Sequence, residues 1–225
     1  MKRLICSFML ALAAFVAAAQ DEVPTTNWPF LYPDFLEGEL RQNGGAVSKG
    51  KFNIHLGQGA LNLVEKGMIA EIPSLNVLYV IIGEDTFQNV GGKMMKVLAD
   101  SDAGFVVQET LADYSAVVRN DGAYGGSNTN AAKAFSYDEN YGNYGYLVTN
   151  NYEDLLSIRN ESEELPVTVN RYLVIDGMPV LALRKNVAAL EGIDKKAFSA
   201  FLKEEKIDWK DPQDLLKVIG YIKSL

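Results

Sequence analysis

The sequence predicts a mainly β protein of the α+β class, in which an antiparallel meander forms a sandwich, a rolled sheet or a partial barrel. A pair of short C-terminal helices completes the expected architecture. Three observations predict it: apolar residues recur at a period of two through much of 35–111, turn residues recur about every 8–12 positions, and a helical period appears only in 191–225.

Residues 1–19 have the order of a secretory signal peptide. Lys2 and Arg3 precede an apolar run from Leu4 to Val16, and we expect cleavage after Ala19. The run is shorter than the roughly 20 residues that a membrane-spanning helix needs, so we expect no transmembrane segment. The only cysteine lies inside this segment, which leaves no thiol for disulfides. The sequence therefore predicts an exported protein, periplasmic or extracellular.

The chain is acidic. Its formal net charge is −8, and removal of Lys2 and Arg3 would change it to −10. Nucleic acid and anionic lipid are poor partners for such a chain, because like charges repel. A glycan or another envelope protein remains as the candidate partner.

Residues 20–34 are rich in proline and end in the run Trp28 to Pro33. Proline fixes φ and removes a backbone donor, so we expect an extended N-terminal arm and not a central strand. The aromatic side chains of the arm are expected to fold back onto the sheet. The alternative is an exposed arm that binds a partner.

Residues 35–190 are expected to form one antiparallel β domain. In its first hairpin, closed by the turn Asn43-Gly44-Gly45, the apolar Phe52, Ile54 and Leu56 alternate with Lys51, Asn53 and His55. One of these two alternating sets of side chains, or phases, should be buried and the other exposed to solvent. The run Val77–Ile82 is apolar without alternation, so we expect a central strand that is covered on both faces.

An insert at 119–147 interrupts this domain. It is rich in glycine, asparagine and tyrosine, and it offers little aliphatic surface to bury, which predicts a long loop, a flexible insert or a surface hairpin. A short helix is expected at 152–158, and Asp176-Gly177 predicts a hairpin that resumes the sheet.

Residues 191–225 are expected to form two helices packed on the β domain. Asp194 is placed to cap the first, and Asp211 with Pro212 is placed to begin the second. Short amphipathic helices need a partner surface to bury their apolar stripes, so an isolated helical domain is not expected.

Two stretches resemble a known group of proteins. The hairpin from Gly38 to Leu56 resembles the opening hairpin of uncharacterised secreted β-meander proteins of Bacteroidetes-type bacteria. The tail from Phe201 to Lys210, with Asp214-Leu215-Leu216 and Tyr221 beyond it, resembles the closing helix pair of the same proteins. The resemblance covers both ends of the mature chain and leaves the insert unmatched. That family has no assigned function, so the resemblance implies no role for any residue.

Residues for catalysis are sparse. His55 is the only histidine, there is no Gly-x-Ser-x-Gly motif, and His55 is expected to be an ordinary surface or cross-strand residue. Glu37 and Glu39 lie on one side of a strand, about 6.6–7 Å apart by strand rise, which is close to the spacing of an inverting glycosidase pair. Alternating strands produce such pairs freely, so we expect both to be solvated, with no catalytic residues and no enzyme activity.

Cofactor and metal signals are equally weak. Gly91-Gly92-Lys93 and the segment 122–127 lack the spacing of a phosphate loop and are expected to be turns. Asp138, Glu139 and Asn140 offer oxygen atoms to calcium, but the spacing of an EF-hand is absent. We therefore expect no bound cofactor and no metal.

The tyrosines of the insert are the one candidate ligand-binding group. A tyrosine ring offers a flat apolar face and a hydroxyl, and neighbouring amides can bond sugar hydroxyls or a peptide backbone. The alternative is that these rings cover a sheet edge. The candidate residues are Tyr124, Tyr137, Tyr141, Tyr144 and Asn140.

Together these observations predict a non-catalytic secreted or periplasmic envelope protein that serves as a binding or structural module. A carbohydrate-recognising module that uses the tyrosine-rich insert is the first alternative. A hydrolase that uses carboxylates alone is the weaker one.

Overall fold

The computed structural model describes residues 24–113, 135–138, 143–147, 149–159 and 164–225, with the backbone alone at 135–138 and 143–147. The predicted signal segment lies outside these ranges. The strands in chain order are β1 (Thr25–Thr26), β2 (Leu36–Gln42), β3 (Val47–His55), β4 (Ala60–Glu65), β5 (Met68–Glu71), β6 (Val77–Ile82), β7 (Asp85–Val90), β8 (Lys93–Ser101), β9 (Gly104–Ala112), β10 (Phe135–Asp138), β11 (Asn143–Leu147), β12 (Leu165–Ile175) and β13 (Met178–Leu181). The helices are α1 (Tyr152–Ser157), α2 (Arg184–Val187), α3 (Lys195–Glu204) and α4 (Pro212–Lys223).

The main sheet is antiparallel and curls into a half-barrel. Ten strands follow the order β1-β12-β9-β8-β7-β6-β2-β3-β4-β5, and β13 also pairs with β12. The turn between β3 and β4 reaches back across the sheet. There Ala112 donates to the Leu56 carbonyl at 2.9 Å, and Met94 donates to the Gly59 carbonyl at 2.8 Å. Of the three predicted arrangements, the partial barrel is therefore the one that forms.

The predicted turns form where glycine relieves backbone strain. Asp176 and Gly177 both have positive φ, 51° and 78°, between β12 and β13. That conformation matches a two-residue hairpin turn whose twist suits the flanking strands. The Asn43-Gly44-Gly45 turn also joins β2 to β3 as predicted. Within the insert, β10 pairs with β11, so a hairpin is present there.

One phase of the strands forms the inner face of the sheet. Its side chains build a core that includes Leu40, Phe52, Val80 and Phe87, all almost fully buried. Farther along the same face, helices α3 and α4 pack over Val106 and the strands beside it. Asp194 and Asp211 cap these helices through their side chains, as the sequence predicts. The C-terminal helices thus complete the core and are not a separate unit.

The N-terminal arm folds back on the sheet, as expected. Trp28 and Phe30 are buried, and Phe30 stands across from His55 in a bridge to the end of β3. Helix α1, which forms close to its predicted position, joins the same cluster through Leu155. Arg159 lies over the Trp28 ring at 4.6 Å from its centroid.

Two sequence expectations about burial are wrong. The phase that contains Asn53 and His55 was expected to be wet, but both residues are buried because the arm and α1 cover that side of β3. Strand β6 was expected to be covered on both faces. It is central in the strand order, yet Leu78 is 45% exposed at the point where the register between β6 and β2 shifts, and Tyr79 and Ile81 are only partly buried.

Among the described residues, none of the helices is both long enough and apolar enough to cross a membrane.

Candidate functional site

A cavity of about 160 Å³ opens on the inner face, between the N-terminal arm and strands β7, β8 and β9. Its lining combines two chemistries. The apolar members are Leu31, Ile54, Phe87 and Met94, and the polar members are Tyr32, Asp85, Lys96, Gln108 and Thr110. The volume is close to that of an apolar cavity which holds benzene, about 150 Å³. The site therefore has room for a ligand with a small apolar body.

Asp85 is the fixed centre of the polar wall. One carboxylate oxygen forms a 2.7 Å ion pair with Lys96, and the other accepts a 2.5 Å hydrogen bond from the Tyr32 hydroxyl. Burial alone would raise the pKa of the Asp85 carboxyl. The hydrogen bonds from Lys96 and Tyr32 and the Lys96 charge outweigh it, so this pKa lies below its usual value.

Tyr32 is held in the neutral form. Burial, followed by the hydrogen bond to Asp85 and the charge of that carboxylate, raises the pKa of the Tyr32 phenol well above its ordinary value. The ring also stands edge-on to Phe87, with 6.2 Å between centroids. The arm therefore contributes a rigid hydroxyl donor to the cavity wall.

The polar wall continues across two more strands. Lys96 is the register partner of Gln108, and Gln108 is the register partner of Arg171 on β12. Register partners in an antiparallel pair share one face of the sheet, so Arg171 belongs to the inner phase beside the cavity. Among the described residues its buried Nε atom has no hydrogen-bond partner. Gln108 donates to the Thr110 hydroxyl at 3.5 Å, a long bond.

A second, larger depression of about 450 Å³ lies where the arm meets α1 and the turn after β4. Phe35 and Tyr152 meet there edge to face, 5.3 Å apart. Side chains of both signs flank it, with Asp34 and Glu153 opposite Lys51 and Lys66 on the lining. Arg159 comes within 3.8 Å of Asp34 at its border.

The predicted tyrosine group is only partly described. Tyr124, Asn140 and Tyr141 lie outside the described residues. Tyr137 is in β10 and Tyr144 is in β11, and the two are register partners in that hairpin. The backbone therefore places two of the five candidate residues directly opposite each other in the hairpin.

The carboxylate pair of β2 does not face the cavity. Glu37 is exposed, and Glu39 forms a 2.9 Å ion pair with Arg41. Both belong to the phase opposite the buried Leu40. His55 is also remote from a catalytic role: it is 4% exposed, its Nδ1 accepts from Gly57 at 3.3 Å, and burial lowers its pKa from 6.5 to about 4. Of the two placements that the sequence predicts, surface or cross-strand, the structure shows the second, because His55 pairs with Ala60 across the β3–β4 hairpin and is buried.

No family model, no curated protein and no solved structure matches this chain. Any function of the site therefore has to be inferred from the chemistry of its own residues. Among the residues that the structure describes, no cluster of three histidine, cysteine or acidic side chains could hold a metal ion.

Reasoning from the sequence missed the residues of the cavity, although a signal for them exists. Lys96 follows Met94 in the inner phase of β8, and Gln108 follows Val106 in the inner phase of β9. A polar residue in an otherwise buried phase is informative, because such positions are usually apolar. Arg171 lies in the phase of Leu173 in the same way.

Proposed function

We propose that this protein is an exported, non-catalytic binding module of the cell envelope, with its ligand site in the inner-face cavity. The observation that carries the proposal is the arrangement around Asp85, whose two carboxylate oxygens are held by Lys96 and Tyr32. A wall whose polar atoms are already fixed before a ligand arrives suits recognition, since little ordering is left for the binding step.

The protonation states support binding over proton transfer. The pKa of Asp85 is lowered and the pKa of Tyr32 is raised, so the carboxylate stays ionised and the phenol stays neutral at pH 7. General acid–base catalysis works best when the pKa lies near the working pH. These two groups are shifted away from it in opposite directions.

A fragment screen by NMR tests the proposal. We expect small amphipathic fragments to shift amide signals of β7, β8 and β9 in the wild-type protein. Thr110→Phe, which fills the cavity, should abolish these shifts. Thr168→Phe is the matched control, because Thr168 is exposed and lies in the opposite phase of β12.

Two results would contradict the proposal. One is that no fragment binds the wild type in a way that Thr110→Phe removes. The other is turnover of a chromogenic ester or glycoside by the wild type that disappears in Asp85→Asn. The exported location is tested separately: N-terminal sequencing of the mature protein from a periplasmic or culture fraction should begin at Gln20.

A carbohydrate-recognising module is the second candidate. The observation that favours it is the register pairing of Tyr137 with Tyr144, because paired positions across a hairpin lie close together. Glycan-array or cell-wall pulldown binding should then be lost when both tyrosines are changed to alanine, and kept in the control Tyr79→Ala on β6. Binding that survives the double substitution would remove this candidate.

A further inference from the structure

The inner-face cavity has more hydrogen-bond donors than its own residues use. Lys96 carries three N–H donors, and one of them is taken by Asp85. Beside the cavity, on the strand next to Gln108, Arg171 carries five donors, and its buried Nε has no partner among the described residues. Each oxygen of Asp85 already accepts one bond, from Lys96 or from Tyr32. The unused donors of Lys96 and Arg171 suit an acceptor on the ligand.

The local charge points the same way. Asp85 and Lys96 neutralise each other in their 2.7 Å ion pair. Among the described residues, Arg171, one strand beyond Gln108, then adds a positive charge beside the cavity, in a chain whose formal net charge is −8. Neighbouring strands lie about 4.8 Å apart, and an extended arginine side chain spans more than that distance. Arg171 does not itself line the cavity, but its side chain is long enough to reach it across the Gln108 position.

The apolar lining determines the size and character of the ligand's apolar part. Leu31, Ile54, Phe87 and Met94 form a floor in a space of about 160 Å³. Such a space holds a short alkyl chain or one small ring. On the β12 side, Val169 is 45% exposed and shares the inner phase with Arg171, so the face is open to solvent beside the arginine.

We infer that the cavity binds a small amphipathic carboxylate, with the carboxylate held by Arg171 and Lys96 and the apolar body against Phe87 and Met94. This inference rests on the proposed function and adds the chemical class of the ligand. A guanidinium pairs well with a carboxylate because its parallel N–H groups match the two oxygens. Lys96 adds a second cation without leaving Asp85, because it has two further donors.

The test compares three probes of equal chain length: sodium hexanoate, hexanamide and hexylamine. Binding to the wild-type protein is measured by calorimetry and by amide shifts at pH 7. We expect hexanoate to bind at least tenfold more tightly than either of the others, since charge-assisted hydrogen bonds are the strong ones. This comparison needs no variant, so it stands even if a substitution disturbs folding.

Variants then identify the residue. Arg171→Met should weaken hexanoate binding at least tenfold and leave hexanamide binding unchanged, and Arg171→Lys should restore part of the loss. Arg184→Met is the matched control, because Arg184 is an exposed arginine bonded to Ser199. It should bind hexanoate as the wild type does.

Three outcomes would overturn the inference. Equal binding of all three probes would mean that the cavity recognises the apolar body alone. Tighter binding of hexylamine would make Asp85 the recognising group. Hexanoate binding that is unchanged in Arg171→Met, or absent from the wild type, would also refute it. Each of these can occur while fragments still bind and Thr110→Phe still blocks them, so the proposed function would survive.

Discussion

Asn53 fastens the N-terminal arm to the sheet, and its removal is the sharpest test of this fold. The side chain is 0% exposed. Its Oδ1 accepts from the Tyr32 and Ile54 amides at 3.0 and 2.9 Å, and its Nδ2 donates to the Tyr32 and Asp34 carbonyls at 2.9 and 3.0 Å. Three of these four bonds go to the arm, so one side chain supplies hydrogen-bond partners to the backbone of Tyr32 and Asp34.

The cost of Asn53→Ala follows from those bonds. Each contributes about 0.5–1.5 kcal/mol net, and a buried group left unpaired costs about 1–3 kcal/mol. Two losses are softened, because Asp34 is exposed to water and the Tyr32 carbonyl still accepts from Trp28 Nε1 at 3.0 Å. We expect the free energy of unfolding to fall by about 3 kcal/mol. The control is Asn62→Ala, an equally buried register partner whose amide donates to Ala60 at 3.3 Å, and it should cost less than half as much.

Asn53→Asp gives the same test a pH signature. It places an oxygen where Nδ2 faces two carbonyl oxygens, so the pKa of the new carboxyl should be raised above that of the unfolded chain. A raised folded-state pKa stabilises the folded state at low pH and loses that stability as pH increases. The deficit of Asn53→Asp relative to the wild type should therefore shrink from pH 7 to pH 5.

Urea unfolding followed by Trp28 fluorescence in a Trp209→Phe background reports the arm, and far-ultraviolet circular dichroism reports the sheet. An arm that detaches first will separate the two transitions. The reasoning is refuted if Asn53→Ala costs no more than Asn62→Ala, or if the Asn53→Asp deficit does not change with pH.

Three other predictions concern stability. Burial lowers the pKa of His55 from 6.5 to about 4, so on acidification the unfolded chain takes up the proton before the folded chain does. The free energy of unfolding of the wild type should therefore fall by about 2 kcal/mol between pH 7 and pH 5. Urea titrations at both pH values should show this loss, and His55→Gln should remove most of it. Glu109→Leu removes the acceptor of a buried network and should cost about 2 kcal/mol by thermal unfolding, whereas Glu109→Gln should cost about half of that. Gly38→Ala would drive a methyl group into the Ile81 carbonyl oxygen and should cost more than 3 kcal/mol, while Gly44→Ala, which has open space, should cost only about 1 kcal/mol in the same assay.

The local features of this fold are readable from the sequence because they depend on neighbours in the chain. The Asp176-Gly177 hairpin follows from two residues that tolerate positive φ. The start of α4 follows from Asp211 and Pro212, which cap and preorganise a first turn. The alternating phase of β3 likewise predicts that Phe52 is buried, as it is.

The failures have a common cause, which is that burial of a phase depends on elements far away in the chain. His55 reads as a polar residue on a wet face until the arm covers it. Leu78 reads as core, but the register between β6 and β2 shifts beside it and leaves it 45% exposed. The cavity residues come from the arm and from β3, β7, β8 and β9, so the alternation within one strand can mark Lys96 or Gln108 as a polar residue in the inner phase but cannot show that they meet.

The arm links the stability of the molecule to its site. Leu31 and Tyr32 form part of the cavity wall, and the same turn is held by Asn53. A ligand that binds only when the arm is docked must stabilise the docked state, by about 2.7 kcal/mol at one hundred times its dissociation constant. That magnitude is close to the expected cost of Asn53→Ala. A saturating cavity ligand should therefore offset much of the stability which this substitution removes. At the same ratio of ligand concentration to dissociation constant it should stabilise Gly38→Ala by the same amount, because that clash lies in the sheet and the ligand term depends only on binding to the folded state.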